Sequence, residues 1–356
     1  MSQEEEKYFK GRGSQIKTPN PYQKQTYVTE HIEGLDEPLL SNPQTQIFYE
    51  HPKKIINKVD SPDLGLLYSM NPYQGCEHGC VYCYARNSHQ YWGFSAGLDF
   101  ESKIIVKENA PELLEQTLKK PKWEPKVIMF SGNTDCYQPL ERKLKITRRM
   151  LEVLLKYKHP VSIITKNSLI LRDVDILSEM ASHNLVQVNI SLTSLNEELR
   201  QMLEPRTASS LKRLKTIKIL SDNNIPVRIM AAPIIPGLNS HEIPALIESA
   251  AAHGALSAGY TIVRLNGAVK FIFEDWIRKA FPDKAAKVLH QIAACHGGQF
   301  NDSRFGVRMK GEGEIAETIA SLFNIARAKY MKDKTMPSLD LTAFKRPSDD
   351  NQLSLF

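Results

Sequence analysis

The sequence predicts an α/β protein built on a parallel sheet, either doubly wound or curled as a barrel. The first observation is five short runs rich in β-branched and other apolar residues: KVIMFSG (126–132), VSIITK (161–166), LVQVNISLT (185–193), VRIMAAPII (227–235) and AGYTIVRL (258–265). They are nearly continuously apolar, as strands of a parallel sheet covered on both faces should be. The second is the amphipathic stretches between them. Strand–helix alternation over roughly 200 residues implies parallel strands joined by helical crossovers.

Taken in order, residues 1–60 are polar, with prolines at 19, 21, 38, 43 and 52, and read as an extended N-terminal arm with little core of its own. LGLLYSM (64–70) is the first strand-like segment of the core, which runs over 61–332. Leu144, Leu151, Leu154 and Leu155 share one face of a helix over 142–157. Leu211, Leu214 and Ile217 mark another over 208–221, and Ile315, Ile319, Leu322 and Phe323 a last one over 312–330. Residues 333–356 read as a flexible charged tail ending in QLSLF. No internal repeat of fixed period is present.

Of 356 residues, 42% are apolar, enough for a sizeable core. No apolar run approaches the about 18 residues of a membrane helix, and MSQEEEKYFKGRG lacks a hydrophobic signal segment, so a cytoplasmic protein without a membrane partner is expected. The net charge of +6 is compatible with a nucleic-acid partner, but a solvated enzyme surface is the plainer reading.

Cysteine usage is more specific. Of five cysteines, Cys76, Cys80 and Cys83 fall within eight residues, in NPYQGCEHGCVYCYAR. An odd, clustered set in such a chain argues against a disulfide framework and for metal. Gly75 and Gly79 permit tight turns in the loop. Structural zinc wants four ligands, and His78 or His89 would complete a Cys3His site. Three cysteines also suit a four-iron cluster with one iron left open, as a catalytic cluster needs.

This CxxxCxxC spacing, with an aromatic before the third cysteine and βα alternation after it, resembles the radical S-adenosylmethionine (SAM) superfamily. The resemblance implies a partial (β/α)6 TIM-like barrel with the N-terminal arm and a C-terminal helix and tail attached. It implies a [4Fe-4S] cluster on Cys76, Cys80 and Cys83 at the mouth formed by the strand C-termini. The open iron would chelate SAM, whose reductive cleavage gives a 5′-deoxyadenosyl radical, with an electron donor such as flavodoxin or ferredoxin. FSGNTDCYQPLE, SIITKNSLILRD and NISLTS…LEPRTAS narrow the resemblance to the branch containing spore photoproduct lyase, a DNA-repair enzyme, over about 65–330.

Carried over by position, Thr134 and Ser191 match hydroxyl residues that contact SAM, and Lys166 matches a lysine that holds its carboxylate. A lysine closing an apolar strand is rarely there for the core. Thr134 and Ser191 have the alternative role of capping the next helix. Arg206 adds a carboxylate contact or pairs with Glu204. Tyr82 and Tyr84 match tyrosines of the lyase's radical relay, or pack around the cluster. The lyase's hydrogen-donor cysteine falls here on Gly132, so that donor does not carry over; Cys136 faces the radical from nearby or is a buried small hydrophobe. Cys295 reads as structural.

QLSLF resembles the glutamine-led pentapeptide with which bacterial repair and replication proteins dock on the DNA polymerase sliding clamp. In this reading Gln352 supplies hydrogen bonds while Leu355 and Phe356 fill an apolar site; the alternative is an apolar cap folded back on the domain. Three functions compete: a radical SAM enzyme, of lyase or transferase type, acting on DNA in repair; one modifying a protein, RNA or small molecule; and a metal-stabilised DNA-binding module without catalysis. No helix-turn-helix or finger array is recognisable.

Overall fold

Residues 9–22, 44–65 and 67–347 are described by the computed structural model. Its strands are β1 (Gln46–Glu50), β2 (Ile56–Lys58), β3 (Tyr68–Met70), β4 (Tyr73–Gln74), β5 (Lys103–Lys107), β6 (Ile128–Phe130), β7 (Val161–Thr165), β8 (Val186–Ser191), β9 (Val227–Ile234) and β10 (Ser257–Ile262). β3 and β6 to β10 lie side by side in chain order, each parallel to the next, and β2 adds antiparallel outside β3. A doubly wound sheet reverses its strand order at a switch point. Six parallel strands in unbroken order instead make an open, partial (β/α)6 barrel.

Strand alternation decides what faces where. Ile128, Phe130, Val161, Ile163, Val186, Val188, Ile190, Val227 and Ile229 belong to one core shared with the helices. Helices Ala110–Lys119, Ile146–Lys156, Val174–Ser182, Ser210–Asp222, Ile243–Ala252 and Glu314–Tyr330 cover that side. The alternate residues face the concave side, where Asn189 Nδ2 donates to Ser162 Oγ at 3.0 Å. The expectation of strands apolar on both faces is therefore corrected: the lumen side carries Ser162, Asn189 and Ser191, while the helices named above pack on the other side.

The single helix read over 142–157 is two, Glu141–Leu144 and Ile146–Lys156. Lys145 between them takes φ +52°, and the Glu141 carboxylate accepts the Thr147 N–H at 3.1 Å, satisfying an orphan donor of the second helix.

A small second sheet orders β1-β5-β4 and ties the start of the cysteine loop to the barrel wall through β4. Part of the polar N-terminal segment is tucked against that loop. Arg12 and Ser14 are buried, and the Gly13 and Ser14 amides donate to the Glu101 carboxylate at 3.0 and 2.8 Å. A Cβ on Gly13 would lie 1.7 Å from the Gly79 carbonyl oxygen, so only glycine permits this approach.

The pattern after residue 332 looks like a tail, yet it is held as far as residue 347. Lys334 Nζ donates to the Ala251 carbonyl, Gln187 Nε2 to the Pro337 carbonyl at 2.5 Å and the Asp340 amide to the Asn184 carbonyl at 2.9 Å. Phe344 packs on Tyr157 and His159, and Arg346 Nη2 reaches the Lys120 and Trp123 carbonyls at 2.8 and 2.9 Å. These partners precede strands or, in the case of Gln187, lie at the start of one, so the segment straps the N-terminal end of the barrel, opposite the cysteine loop. QLSLF lies outside the described residues. Among the described residues no helix is long and apolar enough to cross a membrane.

Candidate functional site

Cys76, Cys80 and Cys83 sit on the loop that leaves β3 and β4, with Gly75 and Gly79 at φ +81° and +70° making its turns. Backbone and side-chain bonds hold the loop from several sides. The Cys76 amide donates to the Phe100 carbonyl at 2.9 Å, Glu77 N–H to Gln138 Oε1 at 3.0 Å, and Val81 N–H to the Leu203 carbonyl at 3.1 Å. Arg86, wholly buried, donates Nε to the Cys80 carbonyl at 2.9 Å and ion-pairs with the equally buried Glu101. Glu101 thereby joins the cysteine loop to the N-terminal segment.

All three thiols are free, and burial pushes each above its usual titration range; for Cys76 the neighbouring Asp135 adds to this. Burial thus favours neutral thiols here; a metal's charge would stabilise the thiolates, and ligation would release protons. Among the described residues no three His, Cys, Asp or Glu side chains surround a single-ion position. A four-iron cluster has a different requirement, with each thiolate on its own iron. Three loop cysteines with firmly held backbone suit that donor set.

Beside the loop lies a buried polar hub at the strand C-termini. Glu204, fully buried, accepts from Tyr82 Oη, from Thr193 Oγ1 at 2.6 Å and from Arg213 Nη2, and lies 3.4 Å from Lys166 Nζ. Burial alone would raise its carboxyl; Arg213 and Lys166 together hold it well below the usual carboxylate range. Tyr82 moves the other way, raised by burial and by Glu204, and stays a neutral donor. A second carboxylate, Asp135, accepts the Lys166 amide at 2.8 Å and Thr165 Oγ1 at 2.8 Å, and lies 3.4 Å from His78 Nδ1. His78 is held neutral, chiefly by burial. So Lys166 closes β7 pointing into the site, its backbone fixed by one acid and its ammonium facing another.

The remaining residues singled out in the sequence divide. Ser191 ends β8 with its carbonyl accepting Arg213 Nη1 at 3.0 Å, at the edge of the hub. Thr134 is buried, its Oγ1 donating to the Tyr73 carbonyl at 2.5 Å. Tyr84 is 52% exposed and donates to the Gly132 carbonyl. Cys136 lies fully buried in the main core with Tyr73 and Tyr137, its amide donating to Ser131 Oγ at 2.8 Å. Cys295 is also buried there. The pairing of Arg206 with Glu204 is not made. Arg206 turns to Gly11, donating to its carbonyl at 3.1 Å, and to Glu77 at 3.9 Å, because Arg213 already occupies Glu204. Arg213, Thr193, Arg86 and Glu101 were not singled out. For Arg213 a signal existed: it lies between Ser210 and Ile217 on the buried face of its helix, an arginine in an apolar stripe.

A cysteine triad at the mouth of a six-stranded parallel barrel, beside a lysine–glutamate hub, defines a class of cofactor-dependent barrel enzymes. The Radical SAM superfamily model matches residues 70–250, and the chain belongs to that superfamily, whose members are enzymes using a [4Fe-4S] cluster and SAM. An uncharacterized protein of Mycobacterium tuberculosis (strain ATCC 25618 / H37Rv) is 31% identical over 238 residues, 66% of this chain and 70% of its own. An uncharacterized protein of Methanocaldococcus jannaschii is 33% identical over 197 residues, 55% of this chain and 71% of its own. Spore photoproduct lyase complexed with dinucleoside spore photoproduct has the same fold, with TM-score 0.59 and 14% identity over 80% of this chain and 79% of that one.

Proposed function

We propose that this radical SAM enzyme acts on DNA in a repair-type reaction, with Cys76, Cys80 and Cys83 holding the cluster. The observation that carries the cofactor assignment is the crevice where the cysteine loop, Tyr82 and Lys166 meet at the strand C-termini, the face on which barrel enzymes do chemistry. When bound, the cluster and SAM would supply reductive radical chemistry, with the electron coming from a donor such as flavodoxin or ferredoxin. Lys166 would meet the SAM carboxylate, with Glu204, 3.4 Å from its ammonium, fixing that group's position. We assign Ser191, at the hub's edge, and Thr134, on the loop after β6, as further contacts to SAM. Arg206 serves as a more distant positive charge, held through Glu77 beside the loop.

Of the candidates for a radical partner, Tyr82 is committed to Glu204 and Cys136 is sealed in the core. Tyr84 has an exposed ring and a hydroxyl on Gly132, the position matching the lyase's donor, and is our choice. DNA as substrate is supported by the fold shared with spore photoproduct lyase, by the net positive charge and by QLSLF. Anaerobic reconstitution followed by assays on damaged and undamaged oligonucleotides tests the reading: turnover of neither, with SAM still cleaved, turns the assignment toward a protein, RNA or small molecule. Deleting Gln352–Phe356 should abolish clamp capture, and unchanged capture refutes the docking role.

A further inference from the structure

The open barrel leaves a seam between its two edges, and one loop crosses it. Residues 302–310 touch β10 on one side: Ile262 N–H donates to the Met309 carbonyl at 2.9 Å, and Lys310 Nζ to the Tyr260 carbonyl at 3.1 Å. On the other side Asp63, just beyond β2, accepts from Gly306 N–H at 2.6 Å and from Arg308 Nε at 2.5 Å. Arg308 also reaches Ser61 Oγ at 2.5 Å. One carboxylate thus clasps the loop across the seam.

A second arginine, on the segment whose Ile262 and Leu265 amides bond this loop and the chain just before it, feels the same carboxylate without bonding to it. Arg264, two residues past β10, is half-buried, and among the described residues it makes no hydrogen bond or ion pair. Burial and Arg308 both work against its charge, while Tyr84 and Asp63 favour it. Tyr84 directly follows Cys83, and Asn87 ties that segment to the loop after β10 through the Asn266 carbonyl at 2.9 Å and the Ala268 amide at 3.0 Å. The seam therefore opens beside the cysteine loop. Next to it Phe305, 54% exposed, lies under the Arg308 guanidinium, 4.5 Å from the ring centroid. Two guanidinium groups drawing on one aspartate, which bonds only Arg308 of the pair, leave a partly desolvated positive charge that an arriving anion relieves.

We propose that this seam is the substrate port, where Arg264 and Arg308 receive a phosphodiester of a nucleic-acid strand and Tyr84 and Phe305 offer faces to unpaired bases. The proposal rests on the DNA reading above. Guanidinium groups beside exposed aromatic rings match a strand that carries both phosphates and bases; a carboxylate-bearing peptide would use the cations and leave the rings idle. Asp63 is the internal anion that holds the port together before the strand arrives.

The test is fluorescence anisotropy of the reconstituted full chain with a fluorescein-labelled single-stranded oligonucleotide, titrated with salt. Arg264→Gln should weaken binding about tenfold and reduce the salt slope by about 0.7, the share of one phosphate contact on a single strand. Arg264→Lys, which keeps the charge, should recover the slope. A glutamine variant with wild-type affinity and slope overturns the port and leaves the DNA reading standing. A wild-type protein that binds no oligonucleotide, or prefers a poly-glutamate peptide, overturns the DNA reading itself.

Discussion

Replacing Glu204 by glutamine keeps the side chain's size and removes the charge that two cations share. The Arg213 and Glu204 side chains are 1% and 0% exposed, and Lys166 is 17% exposed. Removing one partner of a buried pair costs about 3–5 kcal/mol, because the other charge is left without compensation. Arg213 also bonds to Thr207 Oγ1 and the Ser191 carbonyl, which remain. The low end, about 3 kcal/mol, is therefore expected. The sign with pH follows from the depressed Glu204 carboxyl. Its folded-state pKa lies below the unfolded value of about 4.3, so the contribution is complete above that pH and is lost as pH falls toward the folded value. Urea unfolding of wild type and Glu204→Gln should differ by about 3 kcal/mol at pH 7, with the gap narrowing in acid. A gap below about 1 kcal/mol at pH 7, the size of an exposed pair, or one that widens on acidification, would refute the reasoning.

Three other perturbations test the surroundings. Gly13→Ala drives a Cβ into the Gly79 carbonyl and should make opening of the N-terminal segment easier by about 2 kcal/mol, or roughly thirtyfold in proteolysis rate; unchanged resistance contradicts the latch. His89 has both ring nitrogens unbonded between Phe94 and Phe100, and burial lowers its pKa to about 4. An unfolded imidazole titrates near 6.5, so stability is lost as pH falls from about 6.5 toward 4. His89→Leu should flatten that limb of the melting curve, and identical acid slopes would count against it. Phe344→Ala removes the strap's packing on Tyr157 and His159 and should cost about 2 kcal/mol in urea unfolding, less than a fully buried phenylalanine; no loss would mean the strap contributes nothing.

The barrel was legible because its strands and helices carry strong periodicity, and the cysteine loop because three ligands lie within one short stretch. What escaped was long-range. Pairing with Glu204, two residues away, is one of the two readings local sequence offers for Arg206, but Arg213 on the next helix holds that carboxylate instead. Glu101 and Arg86 pair across a loop and gain meaning only when the N-terminal segment packs over them. The break at Lys145 depends on a carboxylate cap that helical spacing does not encode. The strap over 333–347 is polar in composition and is ordered through backbone carbonyls of distant loops, which no local pattern announces.

The central claim is that the cysteine loop and the hub at the strand ends hold a cluster and SAM together. It is tested by incubating the anaerobically reconstituted, reduced protein with SAM and measuring 5′-deoxyadenosine. The account predicts its formation by the wild type, with Cys76→Ala losing both cluster absorbance and product. No 5′-deoxyadenosine from cluster-loaded wild type, or undiminished product from Cys76→Ala, would contradict it.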